Sequence, residues 1–258
     1  MVTAVPMASN KIQIRDLSVS YDGVAALRNV TIDVPRNKVF SIIGPSNSGK
    51  TTLLKAINRT LEFTPGVSVK GQVLVDDEDT SRMWNVYELR RRIGMVFPLP
   101  VGLPLSVYDN VAYAPRRAGV NDRGILDEIV ERCLTQAALW DEVKDRMKSL
   151  GTMLSGGQQQ RLTLARALSH SPEILCLDEF SIAIDPVTTM RIEDVLINLK
   201  ENMTIILVTN LVQQARRLGD MTCFMNKGAV VEWGPTEKMF SDNPDSRLTF
   251  DYIHGVFG

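Results

Sequence analysis

Gly44-Pro45-Ser46-Asn47-Ser48-Gly49-Lys50-Thr51 fits the pattern G-x-x-x-x-G-K-[ST]. Its flanks carry the matching periodicities. Val39-Phe40-Ser41-Ile42-Ile43 before it reads as a buried strand, and Thr51-Thr52-Leu53-Leu54-Lys55-Ala56-Ile57 after it as a helix. In that setting the glycines let the backbone approach a polyphosphate, and successive N–H groups point at its oxygens. Lys50 then reaches the β- and γ-phosphates, and the Thr51 hydroxyl holds Mg²⁺. The plainer alternative is a glycine-rich turn with an exposed lysine; the strand–loop–helix context argues against it.

Around this loop the chain has 258 residues, 44% hydrophobic and 23% charged, with a formal net charge of −1. These values describe an ordinary globular protein of one large domain or two small ones, without a basic field for nucleic acid. Cys133, Cys176 and Cys223 lie far apart in apolar contexts and read as buried, reduced thiols; His170 and His254 make no metal cluster. No apolar run approaches the roughly 20 residues needed to span a bilayer. Met1–Ser9 has neither the basic start nor the apolar core of a signal peptide. The expectation is a cytosolic protein that docks onto a membrane partner if it works at a membrane.

Taken in order, Ile12, Ile14, Leu17 and Val19 predict a first strand whose alternation breaks at Arg15-Asp16. Tyr21-Asp22-Gly23 makes a turn; Tyr21 is either a core aromatic or a platform for a base. Val30–Val34 predicts a second strand closed by Pro35. Gly71–Asp77 reads as a strand leading to a turn, Val86–Arg92 as a helix ending in a solvated triple arginine, and Ile93–Phe97 as a short strand. Three prolines and a glycine make Pro98–Pro104 an irregular loop, after which Ser106 caps a helix. Ile125, Ile129, Val130, Cys133, Leu134 and Ala137 follow helical spacing, so the stretch to about His170 is expected to be a helical lobe inserted into an α/β body. The body resumes with strand Ile174–Leu177, helix Val187–Leu199 and strand Ile205–Val208, and closes with apolar segments near Cys223 and Val230. Strands alternating with helices predict a parallel sheet.

Two further stretches carry chemistry. Asp178 at the end of an apolar strand can bind Mg²⁺, and Glu179 beside it can polarise a water attacking a γ-phosphate. Carboxylate pairs after core strands are common, so this signal gains force only beside the phosphate loop. Leu154-Ser155-Gly156-Gly157-Gln158-Gln159-Gln160-Arg161 opens a helix with a serine and two glycines, an anion-binding N-terminus or simply a capped helix with a flexible lead-in.

With the phosphate loop and Asp178-Glu179, this stretch resembles the signature motif of ATP-binding cassette (ABC) transporter ATPases. The resemblance covers nearly the whole chain. Asn58-Arg59, Arg90–Phe97, Tyr108–Tyr113, Ala138–Arg146, the triple glutamine and the ending Asp251–Gly258 are similar to the phosphate-importer branch. The resemblance implies an α/β P-loop NTPase cassette with a mostly parallel core sheet, an N-terminal antiparallel β subdomain and an inserted α-helical subdomain. A single domain over 11–258 is expected, with a RecA-like body at about 11–97 and 171–258 and a helical subdomain at about 98–170.

It further implies a head-to-tail dimer, a homodimer in the first instance, with two ATPs and Mg²⁺ held between the phosphate loop of one subunit and the signature of the other. Tyr21 matches the aromatic that stacks on adenine. Gly44, Pro45, Ser46, Asn47, Ser48, Gly49, Lys50, Thr51 and Thr52 match the phosphate loop, and Ser155, Gly156, Gly157 and Gln158 the signature. Ser155 and Gly157 are expected to contact the γ-phosphate across the interface. Asp185, in Ala183-Ile184-Asp185, matches the loop linking the two sites. The implied activity is ATP hydrolysis that energises import of inorganic phosphate. The implied partners are two transmembrane permease subunits and, indirectly, an extracytoplasmic phosphate-binding protein, with the ATPase peripheral on the cytoplasmic face of the cell membrane. The loop after Phe97 and the helix at Tyr108 fall where such proteins receive the membrane subunit.

Three positions depart from the family pattern. Pro98 stands where a glutamine senses Mg²⁺ and the attacking water, and it offers neither a carboxamide nor an N–H. Phe180 follows Asp178-Glu179 where proline is usual. Asn210 replaces the switch histidine after Val208-Thr209; it can donate a neutral hydrogen bond but cannot become cationic. Glu179 keeps the general-base position. Slow or partner-dependent hydrolysis is therefore expected. The rivals are a degenerate cassette that binds ATP and pairs with or regulates an intact one, and a soluble ABC ATPase of repair or translation, a class that usually carries two cassettes or long insertions.

Overall fold

The computed structural model describes residues 9–100 and 102–256. Met1–Ala8, with most of the stretch read for a leader, and the last two residues of the matching C-terminal segment lie outside the described residues, as does Val101 in the proline-rich loop. The chain runs through strands β1 (Asn10–Tyr21), β2 (Val24–Pro35) and β3 (Val39–Ile43), helix α1 (Lys50–Ile57), strands β4 (Val67–Val75) and β5 (Glu78–Asp79), and helix α2 (Val86–Arg92). Strand β6 (Ile93–Val96) leads to helices α3 (Val107–Arg117), α4 (Arg123–Gln136), α5 (Trp140–Val143) and α6 (Gly156–Leu168). Then come β7 (Ile174–Asp178), α7 (Pro186–Leu199), β8 (Thr204–Val208), α8 (Val212–Leu218), β9 (Met221–Asn226), β10 (Ala229–Pro235), α9 (Thr236–Met239) and α10 (Arg247–Ile253).

These elements form two compact units. One takes the described residues up to Leu89 and those from Lys200 onward; the other is Arg90–Leu199. The first contains an antiparallel sheet in the order β2-β1-β4-β5. The broken alternation at Arg15-Asp16 is a register shift between Ile14 and Leu17, with Asp16 at φ +49. The extra residue restores Leu17 and Val19 to the buried face after the interruption. β2 starts at Val24, earlier than its apolar core predicts, because the turn at Asp22 and Gly23 (φ +48 and +83) lets pairing begin at once with Tyr21↔Val24. Nearly buried Lys11 pairs with Asp76 at 2.7 Å, and Arg36 shares that carboxylate.

The same unit holds β10, β9, β3 and β8 side by side. β3 runs parallel to β8 and to β9, and β9 and β10 close as an antiparallel hairpin. β3 and β8 are buried at every residue, which is why they read as continuous apolar runs rather than as alternation.

In the second unit β6 and β7 pair in parallel, and α3, α4 and α6 build the helical part. Ser106 caps α3 as expected, accepting from Asp109 N at 2.9 Å. Leu126, Val130, Cys133 and Leu134 form the buried stripe of α4, but Ile125 is half exposed, one residue off that stripe. The triple arginine is not simply a solvated helix end. Arg92 makes a two-pronged pair with Glu173, both contacts at 3.0 Å.

Candidate nucleotide site

In the first unit the register Ile42↔Val208 brings β3 and β8 to the same edge, so Gly44 and Asn210 both leave from the carboxyl ends of adjacent parallel strands. That edge is where α/β sheets place ligands. Two glycines shape the loop. Gly44 has φ +149, and a Cβ there would stand 2.1 Å from the Met225 carbonyl. Gly49 has φ +96, and its Cβ would stand 2.6 Å from Leu27 Cδ2. Neither position has room for a side chain. Asn47 also adopts the left-handed region, at φ +63.

Lys50 is almost buried, and its ammonium donates to the Gly44 and Pro45 carbonyls at 2.8 and 3.0 Å. The Ser48 hydroxyl is buried with no hydrogen-bond partner among the described residues. A strapped-in cation and an orphaned hydroxyl at a helix start fit a polyphosphate. Ser46 and Asn47 are exposed at the loop's rim. Tyr21 is only part-buried, and its hydroxyl lies 3.3 Å from Thr52 Oγ1. It therefore stands beside the loop rather than in the core. Asn210 is exposed, directly after Thr209, whose hydroxyl donates to Gln214 Oε1 at 2.8 Å and accepts from Leu211 N at 3.0 Å.

In the second unit the register Val96↔Leu177 places the Phe97-Pro98 corner and Asp178-Glu179 at the same carboxyl edge. Asp178 is buried. Glu179 has φ +47, a strained backbone for a non-glycine residue and one that recurs at functional sites. Phe180, the departure from proline, is buried to 1% exposure among the largest core side chains. Its role is to fill the core.

The signature serine caps α6 through a full capping box. Gly157 is required by proximity: a Cβ would lie 2.8 Å from the Ala183 carbonyl. The signature turn named from the sequence thus meets the Ala183-Ile184-Asp185 loop within one unit. Asp185 accepts from Thr188 N at 2.9 Å at the start of α7, and its hydrogen bonds with Thr188 hold its carboxyl below the usual range.

Sequence reasoning assigned no role to Glu142, Gln160 or Arg161, although it quoted all three. Arg161 is almost buried on α6 and pairs with Glu142 at 2.6 Å; buried Gln160 donates to the Phe97 carbonyl at 2.9 Å. A charge and an amide on the inward face of an otherwise apolar helix were the available signal. Among the described residues no helix is long and apolar enough to cross a membrane.

A nucleotide loop, a buried acidic strand end and a capped serine–glycine turn on an α/β body define a P-loop ATPase cassette. The sequence pattern described as "ABC transporter" matches residues 27–181, and the chain belongs to that family. The chain is 46% identical over 246 residues to "Phosphate import ATP-binding protein PstB 3" of Streptococcus pneumoniae serotype 4, covering 95% of this chain and 98% of that one. It is 47% identical over 248 residues to "Phosphate import ATP-binding protein PstB" of Thermotoga maritima, covering 96% and 98%. Among solved structures, cbiO1 from Clostridium perfringens, part of an ABC transporter complex, is similar at TM-score 0.78 and 25% identity, over 90% of this chain and 91% of that one. A dimeric ATP-binding cassette in a post-hydrolysis state, bound to ADP and Pi, is similar at TM-score 0.77 and 27% identity, over 87% and 98%.

Proposed function

We propose that the chain is the ATP-hydrolysing subunit that energises an ABC importer of inorganic phosphate. The observation that carries the reading is identity of 46% along 95% of the chain with a phosphate import ATP-binding protein. The phosphate-shaped loop at Gly44–Thr51 supports it. The working form is a head-to-tail dimer at the cytoplasmic face of the cell membrane, bound to two permease subunits. An extracytoplasmic phosphate-binding protein delivers the cargo. The helical subdomain lies at about 98–170, within a body of about 11–97 and 171–258.

Each residue has a role in this reading. Tyr21 stacks on adenine. Gly44, Pro45, Ser46, Asn47, Ser48, Gly49 and Thr52 cradle the phosphates, and Lys50 neutralises the charge that develops on them. Thr51 and Asp178 hold Mg²⁺, which when bound neutralises phosphate charge. Glu179 accepts a proton from the attacking water, and Asn210 donates to the γ-phosphate. Ser155, Gly156, Gly157 and Gln158 complete the site on a second copy, and Asp185 links the two sites.

Pro98 and Asn210 favour a second reading, a catalytically degenerate cassette that binds ATP and regulates or pairs with an intact one. The test is Mg-ATPase turnover of the purified chain, alone and with permease subunits, beside Glu179→Gln. Turnover abolished by Glu179→Gln is expected. Absence of turnover under both conditions, with ATP still bound, would replace the first reading by the second.

A further inference from the structure

Four side chains outside the phosphate loop converge on the first turn of α6. Glu142, on α5, accepts from Arg161 through both oxygens, at 2.6 and 3.1 Å. Its Oε2 also accepts from Gln158 Nε2 at 2.8 Å. Gln158 then turns its own oxygen to Ser155 N, at 3.1 Å, and Arg146 Nη2 donates to that same oxygen at 3.3 Å. The Ser155 hydroxyl accepts from Gln158 N at 3.4 Å, which closes the capping box. Arg161 is anchored further by the Ala138 carbonyl at 2.6 Å, with its side chain 7% exposed.

A carboxamide has two orientations of nearly the same shape and opposite polarity. A carboxylate offers only acceptors, so Glu142 selects the orientation that gives it the Gln158 NH₂ group. The Gln158 oxygen is then left for Ser155 N. Without that selection the NH₂ group can turn toward Ser155 N, donor against donor, and the capping box opens.

We infer that Glu142 is a positioning residue for the signature turn: by fixing the polarity of the Gln158 carboxamide it holds Ser155 and the start of α6 in the geometry that meets nucleotide bound by a second copy of the chain. The inference rests on the function proposed above, in which Ser155 acts across a dimer. Glu142 touches no nucleotide. It acts through Gln158 and Arg161.

The test uses Glu142→Gln, the swap Glu142→Gln with Gln158→Glu, and Ser155→Arg, all in the full chain. In Glu142→Gln the introduced carboxamide offers a single acceptor oxygen for the donors of both Arg161 and Gln158. In the swap, the carboxamide NH₂ introduced at position 142 donates to the carboxylate introduced at position 158, which accepts from Ser155 N as a capping-box glutamate does. Affinity for a fluorescent ATP analogue on dilute protein stays at the wild-type value in Glu142→Gln, because the phosphate loop is untouched. Turnover at saturating ATP, normalised to folded protein, falls about tenfold to a hundredfold in Glu142→Gln. It returns to within about threefold of wild type in the swap.

If Glu142→Gln fails to fold, Gln158→Leu keeps the Glu142–Arg161 pair and carries the same expected loss. Wild-type turnover in Glu142→Gln (or in Gln158→Leu, where that variant stands in), or a swap no faster than the single variant, overturns the inference. Unchanged turnover in Ser155→Arg instead sinks the signature reading, and the inference with it.

Discussion

The Gln160 side chain donates to the Phe97 carbonyl at 2.9 Å, tying the signature helix to the residue just before Pro98. Gln160 is 1% exposed, and its Oε1 has no hydrogen-bond partner among the described residues. Pro98 has no N–H to offer. Within the second unit, one hydrogen bond thus connects the helix that begins at Ser155 with the loop that departs from the family pattern. Gln160→Leu removes this bond together with the orphaned oxygen. The expected loss is about 1 kcal/mol, the net worth of one hydrogen bond, read from the denaturant midpoint. A loss several times larger would mean that the bond organises more than the loop.

Pro98→Gln restores both a backbone N–H and a carboxamide beside Glu179. If Pro98 limits hydrolysis, kcat rises by up to about 10²-fold with little change in KM, because the gain is made in the transition state. Steady-state kinetics at saturating Mg-ATP decide it. An unchanged kcat means that other groups orient the water.

Asn210→His adds the one side chain that titrates near neutrality. The ratio of variant to wild-type kcat is expected to grow as pH falls through about 6.5, where the imidazole becomes cationic. A pH profile of both proteins checks this. A ratio independent of pH would assign the position a neutral hydrogen bond only.

Gly44→Ala forces a Cβ to within 2.1 Å of the Met225 carbonyl at a positive φ. Nucleotide binding is expected to vanish while both sheets persist. Calorimetric titration with ATP and far-UV circular dichroism separate those outcomes.

Arg161, and then Gln158, hold the Glu142 carboxyl below its ordinary value of 4.5. A carboxylate with a depressed folded pKa contributes stability that is complete above the unfolded value and lost as pH falls through the folded one. The stability difference between wild type and Glu142→Gln is therefore expected to be constant at neutral pH and to shrink below pH 4.5. Urea melts across that range measure it.

Much was legible in the sequence because it depends on local chemistry. The phosphate loop, the Ser106 and Ser155 caps, and strands β3, β7 and β8 follow from patterns within a few residues, where backbone conformation and apolar runs act directly. The bulge at Asp16 was visible as a broken alternation, and only pairing with β2 and β4 showed how it is absorbed. The family, and with it the roles expected of Glu179 and Ser155, came from spaced motifs that need no coordinates. Tertiary structure decided what depends on residues far apart in sequence. It buried Phe180, moved Tyr21 beside Thr52, brought Ala183 against Gly157 and made Glu142 the hub of the signature turn. A glutamate on a short polar helix looks like any solvated charge until folding sets a buried guanidinium and a carboxamide against it. Hydrogen-bond geometry between distant segments then determines its role.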